Sequence, residues 1–371
     1  MATDLQLQVS REALLGALAA LSDIVNPKPI ETYGHVLFEC ADGVMTARAT
    51  DGTIAAKVRV GELAAESFPL SLPHRELSSF VRALPAGLVT LSDKSGFGVV
   101  SSGRSSMRIG GLPAGDFPLW TAPTDNVLCT VPASIARDAI SRAIACAVDA
   151  DTSYIRSGAV IEFAPEALAV QATDGSRLFA TGVRLASATS ALLPKRGLSA
   201  LCKALGPLGE GLVSVRLGEN WCWWEADGLS FAMLRLTGSS PNMRRVLDAR
   251  RSGPSVDVRA EDLRRAMTRV AIMARTTHKA VLFESRGGDT LTLSISSPEG
   301  SIEESMPAEF HGGRQLPTGL RLSAGFVAAA PDIIAGETLR LSAQTTEMDA
   351  VTFTSPDAAV SDEYVVMPMR A

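Results

Sequence analysis

The sequence predicts an α+β chain made of three similar domains, each with two helices packed on antiparallel sheets, and three observations carry that prediction. The tetrapeptide Ala-Thr-Asp-Gly occurs at 49–52 and again at 172–175, so Gly175 follows Gly52 by 123 positions. Pro241 follows Pro118 by the same 123, and Gly300 of a Ser-Pro-Glu-Gly turn follows Gly175 by 125. Around each of these turns the same patterns recur in the order helix, strands, helix, strands, a period far longer than that of a solenoid repeat. Polar links at Thr121–Asn126 and Asp248–Ser255 divide the chain into domains 1–121, 127–248 and 255–371.

In the first domain, Ser10 is an N-cap candidate before a helix whose apolar stripe is Leu14, Ala17, Leu18 and Leu21. Asn26-Pro27-Lys28-Pro29 ends it, and strands follow at His35–Cys40, Val44–Ala49 and Thr53–Val60, with the Asp-Gly turn between the last two. A second helix carries Leu77, Phe80, Val81 and Leu84 and stops at Pro85 and Gly87. Strands are expected at Leu88–Ser92 and, as one run, Gly96–Ile109.

The order then restarts. A helix from Pro132 to Val148 should bury Ile135, Ala139, Ile140, Ala143 and Ile144, and strands Val160–Phe163 and Leu168–Ala172 lead into the second Asp-Gly turn. The next helix begins at Lys195 with Leu198, Leu201, Cys202 and Leu205 inward, before strands at Leu212–Leu217, Trp221–Ala226 and Leu229–Leu236. In the third domain a helix runs from Ala260 to Arg275 over Leu263, Ala266, Met267 and Val270. Its partner, Ala324–Ile334, turns Phe326, Ala329, Ala330 and Ile333 inward, and strands close the chain at Thr338–Ala343, Ala350–Thr354 and Tyr364–Pro368.

With 371 residues, 46% of them hydrophobic, the chain can bury more than one core. Its five cysteines are scattered and fit reduced, buried thiols. The opening MATDLQLQV has neither the basic nor the apolar region of a secretory signal, and the longest apolar run, Ala13–Leu21, is too short to span a bilayer. A cytoplasmic protein without a membrane partner is therefore expected.

Net charge is −5, yet the helices are basic. They carry Arg11, Arg75, Arg82, Arg137, Arg142, Lys195, Arg196, Lys203, Arg259, Arg264, Arg265, Arg269 and Arg275 against only Glu12, Asp23, Glu76, Asp138, Glu261, Asp262 and Asp332. On one helix such cations are an ordinary solvated face. On six helices whose apolar stripes all face sheets they suggest a positive surface that binds phosphates without reading bases. No aromatic residues interleave with the cations, which argues against single-strand stacking.

With these features in hand, ATDGSRL at 172–178, the Pro-x-x-Arg-Arg-Val-Leu run from Pro241 to Leu247 and YVVMPMR at 364–370 resemble the bacterial DNA polymerase III β subunit, the sliding clamp family. Leu112-Pro113-Ala114 and Asp116-Phe117-Pro118 add a fourth match, and the similarity covers the whole length. The resemblance implies a head-to-tail homodimeric ring with helices lining a hole through which double-stranded DNA threads, independent of its sequence. Lys28, Arg75, Arg82, Arg137, Arg142, Lys195, Arg196, Lys203, Arg265 and Arg269 would face that DNA.

It also implies a pocket in which the DNA polymerase III alpha subunit, other polymerases and the clamp loader delta subunit insert a short peptide with hydrophobic anchors. Carried over, its wall comprises Arg156, Thr173, Gly175, Ser176, Arg177, Leu178, Pro241, Arg245, Val246, Val365, Val366, Met367, Pro368, Met369 and Arg370. Arg156, Ser176, Ser240, Met243 and Ala371 depart from the usual pattern, which suggests a diverged or additional clamp with altered peptide selectivity. For the ring contact the resemblance implies Met107 and Ile109 against Ile272 and Met273, with Arg104 and Arg108 facing Glu303 and Glu304.

An enzyme is not expected. The four histidines lie at no metal-ligand spacing, no phosphate loop or nucleophile elbow occurs, and Asp51 and Asp174, each before Gly, read as turn residues. Neither a catalytic group, a metal nor a cofactor is assigned. A DNA-associated scaffold that never encircles its ligand is left as the alternative.

Overall fold

The computed structural model describes residues 6–28, 30–62, 69–94, 97–123, 127–148, 156–185, 189–238, 243–248, 253–274, 279–286, 288–298, 300–312, 315–344, 346–360 and 362–369. Its elements are helices and antiparallel strands, an α+β fold. The described helices are α1 (Arg11–Leu21), α2 (His74–Ala83), α3 (Ala133–Ile144), α4 (Lys195–Leu205), α5 (Met243–Asp248), α6 (Ala260–Met273) and α7 (Ala324–Ile333).

Residues group into two compact units. The first comprises Met1–Arg137, Pro165–Ala167 and Arg196–Arg235; the second comprises Asp138–Ala164, Leu168–Lys195 and Leu236–Ala371. Within the first unit an eight-stranded sheet runs in the order Leu70–Pro73, His35–Ala41, Val44–Thr50, Ile54–Glu62, Leu229–Leu234, Trp221–Ala226, Leu212–Leu217, Val127–Pro132. A four-stranded sheet of Gln6–Ser10, Leu88–Lys94, Phe97–Ser102 and Ser105–Gly110 accompanies it.

The second unit has a nine-stranded sheet ordered Thr189–Pro194, Gly158–Ala164, Ala167–Thr173, Arg177–Ala180, Glu363–Val366, Val351–Thr354, Thr338–Ser342, Ser255–Arg259, Glu309–His311. Its four-stranded sheet is Gly300–Pro307, Thr290–Ser297, Ala280–Ser285 and Arg321–Ser323. Both long sheets are continuous across the borders of the sequence repeats, because Ile54–Glu62 pairs with Leu229–Leu234 and Arg177–Ala180 pairs with Glu363–Val366. Shared ladders satisfy backbone groups that would otherwise be left on strand edges.

Several helix expectations hold residue by residue. The Ser10 hydroxyl accepts from Ala13 N at 3.1 Å and caps α1, whose buried residues are Leu14, Ala17, Leu18 and Leu21. Leu263, Ala266, Met267 and Val270 are buried on α6, and Leu77 and Val81 on α2, where Phe80, expected inward, is only partly covered.

Other expectations need correction. The described part of the run expected at 96–109 is a hairpin of Phe97–Ser102 and Ser105–Gly110, turned at Gly103, whose φ of 56° suits a residue without Cβ. Helix α3 stops at Ile144, and Ile135 is 56% exposed, the inward positions being Ala133, Ala136, Ala139, Ile140 and Ala143. On α7 the buried residues are Ala324, Val327, Ala330, Pro331 and Ile333, while Phe326 and Ala329 are only partly covered.

A strand immediately before each long helix went unpredicted: Gln6–Ser10, Leu70–Pro73, Val127–Pro132, Thr189–Pro194, Ser255–Arg259 and Arg321–Ser323. These runs have three to six residues, too few for alternation to register against the helix-start signals that follow them.

Candidate functional site

The two Ala-Thr-Asp-Gly turns are built from the same hydrogen bonds. In the first, Thr50 Oγ1 donates to Ile54 O at 2.8 Å, Gly52 N donates to Thr50 Oγ1 at 3.1 Å, and Asp51 Oδ1 accepts from Thr53 N and Ile54 N, each at 2.8 Å. In the second, Thr173 Oγ1 donates to Arg177 O at 2.6 Å, Gly175 N to Thr173 Oγ1 at 3.0 Å, and Asp174 Oδ1 accepts from Ser176 N and Arg177 N, each at 2.9 Å. Both glycines have positive φ, 84° at Gly52 and 94° at Gly175. Both aspartates therefore cap turns, as their position before glycine predicts.

The second oxygen of each aspartate differs. Asp51 pairs with Arg196, which also donates to Asp23 O at 3.0 Å. Burial opposes ionisation of Asp51, but Arg196 and the turn N–H groups outweigh it and hold the carboxyl below its ordinary value. Since the folded value is the lower one, the stability that Asp51 contributes is complete above about pH 4 and is lost as pH falls through the depressed folded pKa. Acid unfolding of wild type is thus expected to steepen below about pH 4, while Asp51→Asn, already lacking the charge, loses less over the same window. Superimposable acid limbs by circular dichroism would remove this role.

Asp174 instead holds its own neighbour. Its Oδ2 accepts from Arg177 Nε at 2.8 Å, and the guanidinium lies 4.6 Å from the centroid of the Phe326 ring. Behind it Tyr364 is fully buried and donates its hydroxyl to Phe326 O at 3.1 Å; burial, foremost, raises that hydroxyl's pKa and keeps it a donor. Arg177 is thus locked in place and compensated.

Strand pairing brings the end of the chain onto this turn. Arg177 and Leu178 sit opposite Val366 and Val365, and Met367 N donates to Ser176 O at 2.8 Å. Helix α5 adds a third wall: Met243 and Leu247, one turn apart, are buried with Leu178, Ala180 and Val365 in one apolar cluster. The result is a cavity of about 320 Å³ lined by Arg156, Thr173, Gly175, Ser176, Arg177, Leu178, Met243, Val246, Val365 and Met367. Val246 and Met367, 51% and 45% exposed, offer apolar surface at its mouth. Apolar walls with a few polar groups at one side suit an apolar anchor whose orientation is set by hydrogen bonds.

Nine of the residues expected at this pocket thus meet there, joined by Met243, which the motifs mark only as a departure. Val366 is buried outside the lining, and Met369 N donates to Arg321 O at 2.8 Å beyond it, with Pro368 between. Pro241 and Arg370 lie outside the described residues, as does the side chain of Arg245. Met243 was legible as floor from its spacing of four to Leu247, the usual interval of a buried helical stripe.

A larger cleft of about 600 Å³ in the first unit is lined by Glu39, Arg48, Lys57, Arg59 and Glu225 among others. It is polar and largely self-compensated, since Arg48 pairs with Glu39, Arg59 with Asp227 and Arg216 with Glu225. The three strand tryptophans pack as alternation predicts. Trp224 and Trp223 are buried, and Trp221 and Trp120 pack partly buried beside Trp223.

The helix cations are more compensated than a count of charges suggests. Arg142 pairs with Asp362, Arg196 with Asp51, Lys203 with Asp23 at 2.5 Å, Arg265 with Glu261 at 2.8 Å, and Arg269 with Glu304 through two contacts of 2.7 Å. Lys195 Nζ donates to Ala147 O at 2.9 Å, and Arg137 is half-buried. Among the described residues no carboxylate pairs with Lys28, Arg75 or Arg82, all of them exposed.

Of the residues expected at a ring contact, Arg104, Met107, Arg108 and Ile109 lie on or beside the edge strand Ser105–Gly110, with Arg108 stacked 4.0 Å from the Phe97 centroid. Glu303 and Glu304 lie on another edge strand, Gly300–Pro307, and are already paired, with Arg286 and Arg269. Ile272 is 67% exposed at the end of α6 and Met273 is half-buried.

Comparison with known proteins follows the same lines. Residues 5–121 match the N-terminal domain of the DNA polymerase III beta subunit. The beta sliding clamp of Salmonella typhimurium is 27% identical over 371 residues, covering 98% of this chain and 99% of the relative. Over nearly its whole length, the chain is similar to beta sliding clamps. That of Escherichia coli is 26% identical over the same coverage. Among solved structures, the sliding clamp of Pseudomonas aeruginosa superimposes with a TM-score of 0.88 at 23% identity, and that of Bacillus subtilis with 0.88 at 18%, each covering 100% of both chains. The likeness extends through both compact units, and so takes in the turn at 172–178 and the strand at 363–366. Among the described residues no helix is long and apolar enough to cross a membrane, and no group of three or more His, Cys, Asp or Glu could hold a metal ion.

Proposed function

We propose that this chain is a sliding clamp, a processivity factor that encircles double-stranded DNA and tethers DNA polymerases through the cavity at 173–178. The observation that carries the reading is the full-length likeness to beta sliding clamps, together with an apolar cavity assembled by the residues of the family's motifs. The domains are 1–121, 127–248 and 255–371, and two subunits close the ring through edge strands of the kind formed by Ser105–Gly110 and Gly300–Pro307. DNA is held by charge alone, with Lys28, Arg75 and Arg82 available to phosphates and the paired helix arginines able to exchange carboxylates for them. The cavity takes an apolar peptide segment of the DNA polymerase III alpha subunit, of other polymerases and of the clamp loader delta subunit. The protein acts by tethering, without catalysis or a cofactor, in the cytoplasm.

Topological linkage gives the test. Protein loaded on a nicked circular plasmid is expected to stay with the DNA through gel filtration at moderate salt and to be lost when one restriction cut linearises the circle. A non-encircling scaffold would remain on linear DNA as on circular; retention that ignores the cut sinks the clamp reading.

A further inference from the structure

Three pieces of the first repeat converge on one side chain of the second. Arg196, in the first turn of α4, pairs through Nη1 with the Asp51 carboxylate and donates from Nη2 to Asp23 O at 3.0 Å, just beyond the end of α1. Lys203, two turns further along α4, pairs with the Asp23 carboxylate at 2.5 Å. The receiving side is tied together within its own repeat. Ile24 is fully buried and its N–H donates to Leu21 O at 3.0 Å, while Asn26 N donates to Tyr33 O at 2.8 Å. The Tyr33 hydroxyl lies 2.7 Å from where a Cβ at Gly52 would sit, so this ring rests on the Asp-Gly turn itself.

The Asp51 side chain is only 5% exposed. Arg265 and Glu261 differ from this pair: they are neighbours on one helix and both are open to solvent. An exposed pair exchanges its partner for water at little cost, whereas a buried carboxylate that loses its guanidinium is left uncompensated. We infer that Arg196 is a clasp between the first and second repeats, holding the end of α1 and the first Asp-Gly turn against α4 as one unit, with Lys203 as a second point of attachment. The alignment of the two repeats then depends on side chains at their border as well as on the ladder that Ile54–Glu62 and Leu229–Leu234 share. A guanidinium suits the task because one nitrogen meets the turn while the other meets the end of the helix. The next border carries a tie of similar kind, Arg142 of α3 to Asp362, whose other oxygen accepts from Gly182 N at 2.8 Å.

Amide hydrogen exchange followed by mass spectrometry, on the full-length chain without DNA, tests the clasp. Arg196→Gln is expected to speed exchange about tenfold in both 22–26 and 50–55, the scale of losing charge-assisted bonds, while 290–297 in the second unit keeps its wild-type rate. Asp51→Asn keeps a side-chain oxygen for the turn N–H groups but releases the guanidinium. It should therefore also speed exchange in 22–26, a segment joined to Asp51 through Arg196. The double variant should exchange no faster than the faster single one. Arg196→Lys should hold 50–55 near the wild-type rate and leave 22–26 loosened, because an ammonium reaches one partner at a time. Wild-type rates in 22–26 for Asp51→Asn, or additive effects in the double variant, overturn the clasp. If 290–297 also exchanges fast in Arg196→Gln, that variant has unfolded as a whole, and Arg196→Lys and Asp51→Asn decide.

Discussion

Met367→Asp is expected to weaken binding of a polymerase-derived peptide with an apolar anchor by at least about 100-fold, measured by fluorescence polarisation, since docking would bury a carboxylate against an apolar floor. Met367 is 45% exposed at the cavity mouth, and its backbone N–H donates to Ser176 O whatever the side chain, so the strand pairing survives the change. The thermal transition should therefore stay within about a degree or two, as for an exposed substitution. Unchanged affinity would exclude the cavity at 173–178 as the anchor site, however well its residues match the family.

Trp224→Ala is expected to cost the first unit about 3–5 kcal/mol, the range for truncating a large buried aromatic side chain. Trp224 is fully buried on the strand Trp221–Ala226, which pairs with Leu229–Leu234 through six residues, and no rearrangement of the sheet could fill the hole without breaking that register. Urea unfolding followed by far-ultraviolet circular dichroism should report the loss as a lower midpoint. Trp221→Ala, at a partly buried position in the same strand, should cost clearly less. Equal effects of the two would mean that burial at Trp224 is not what sustains this sheet.

Much of the fold was legible because local chemistry and tertiary demand agree in it. The Asp-Gly turns need a residue that tolerates positive φ and an aspartate that caps the following N–H groups, and both requirements are written in four adjacent letters. The stripes of α1 and α6 were equally plain, since apolar side chains at helical spacing have one face to bury. On α3 and α7 the pattern is too rich in alanine and isoleucine to say which side is inward. Ile135 turned outward and Val327 inward by a rotation that only the packed neighbours impose.

Sequence alone carried the expected repeat, the turn chemistry and the likeness to sliding clamps, because each depends on residues close together or on similarity along the whole chain. It also supplied the list of pocket residues, through motifs in three distant stretches. Which of those residues share a cavity was decided by the tertiary structure. The pairing of Arg177–Ala180 with Glu363–Val366 brings Leu178 opposite Val365, and alternation along the strand then turns Val366 away. The same holds for charge: a count along the helices cannot see that Arg142, Arg196, Lys203, Arg265 and Arg269 each meet a carboxylate from elsewhere or from the preceding turn. Ion pairing depends on distance in space, falling off within a few ångströms of contact in water. For that reason the sequence could name Arg156 as a departure from pattern, and only the folded chain set it beside the turn, donating to Asp174 O.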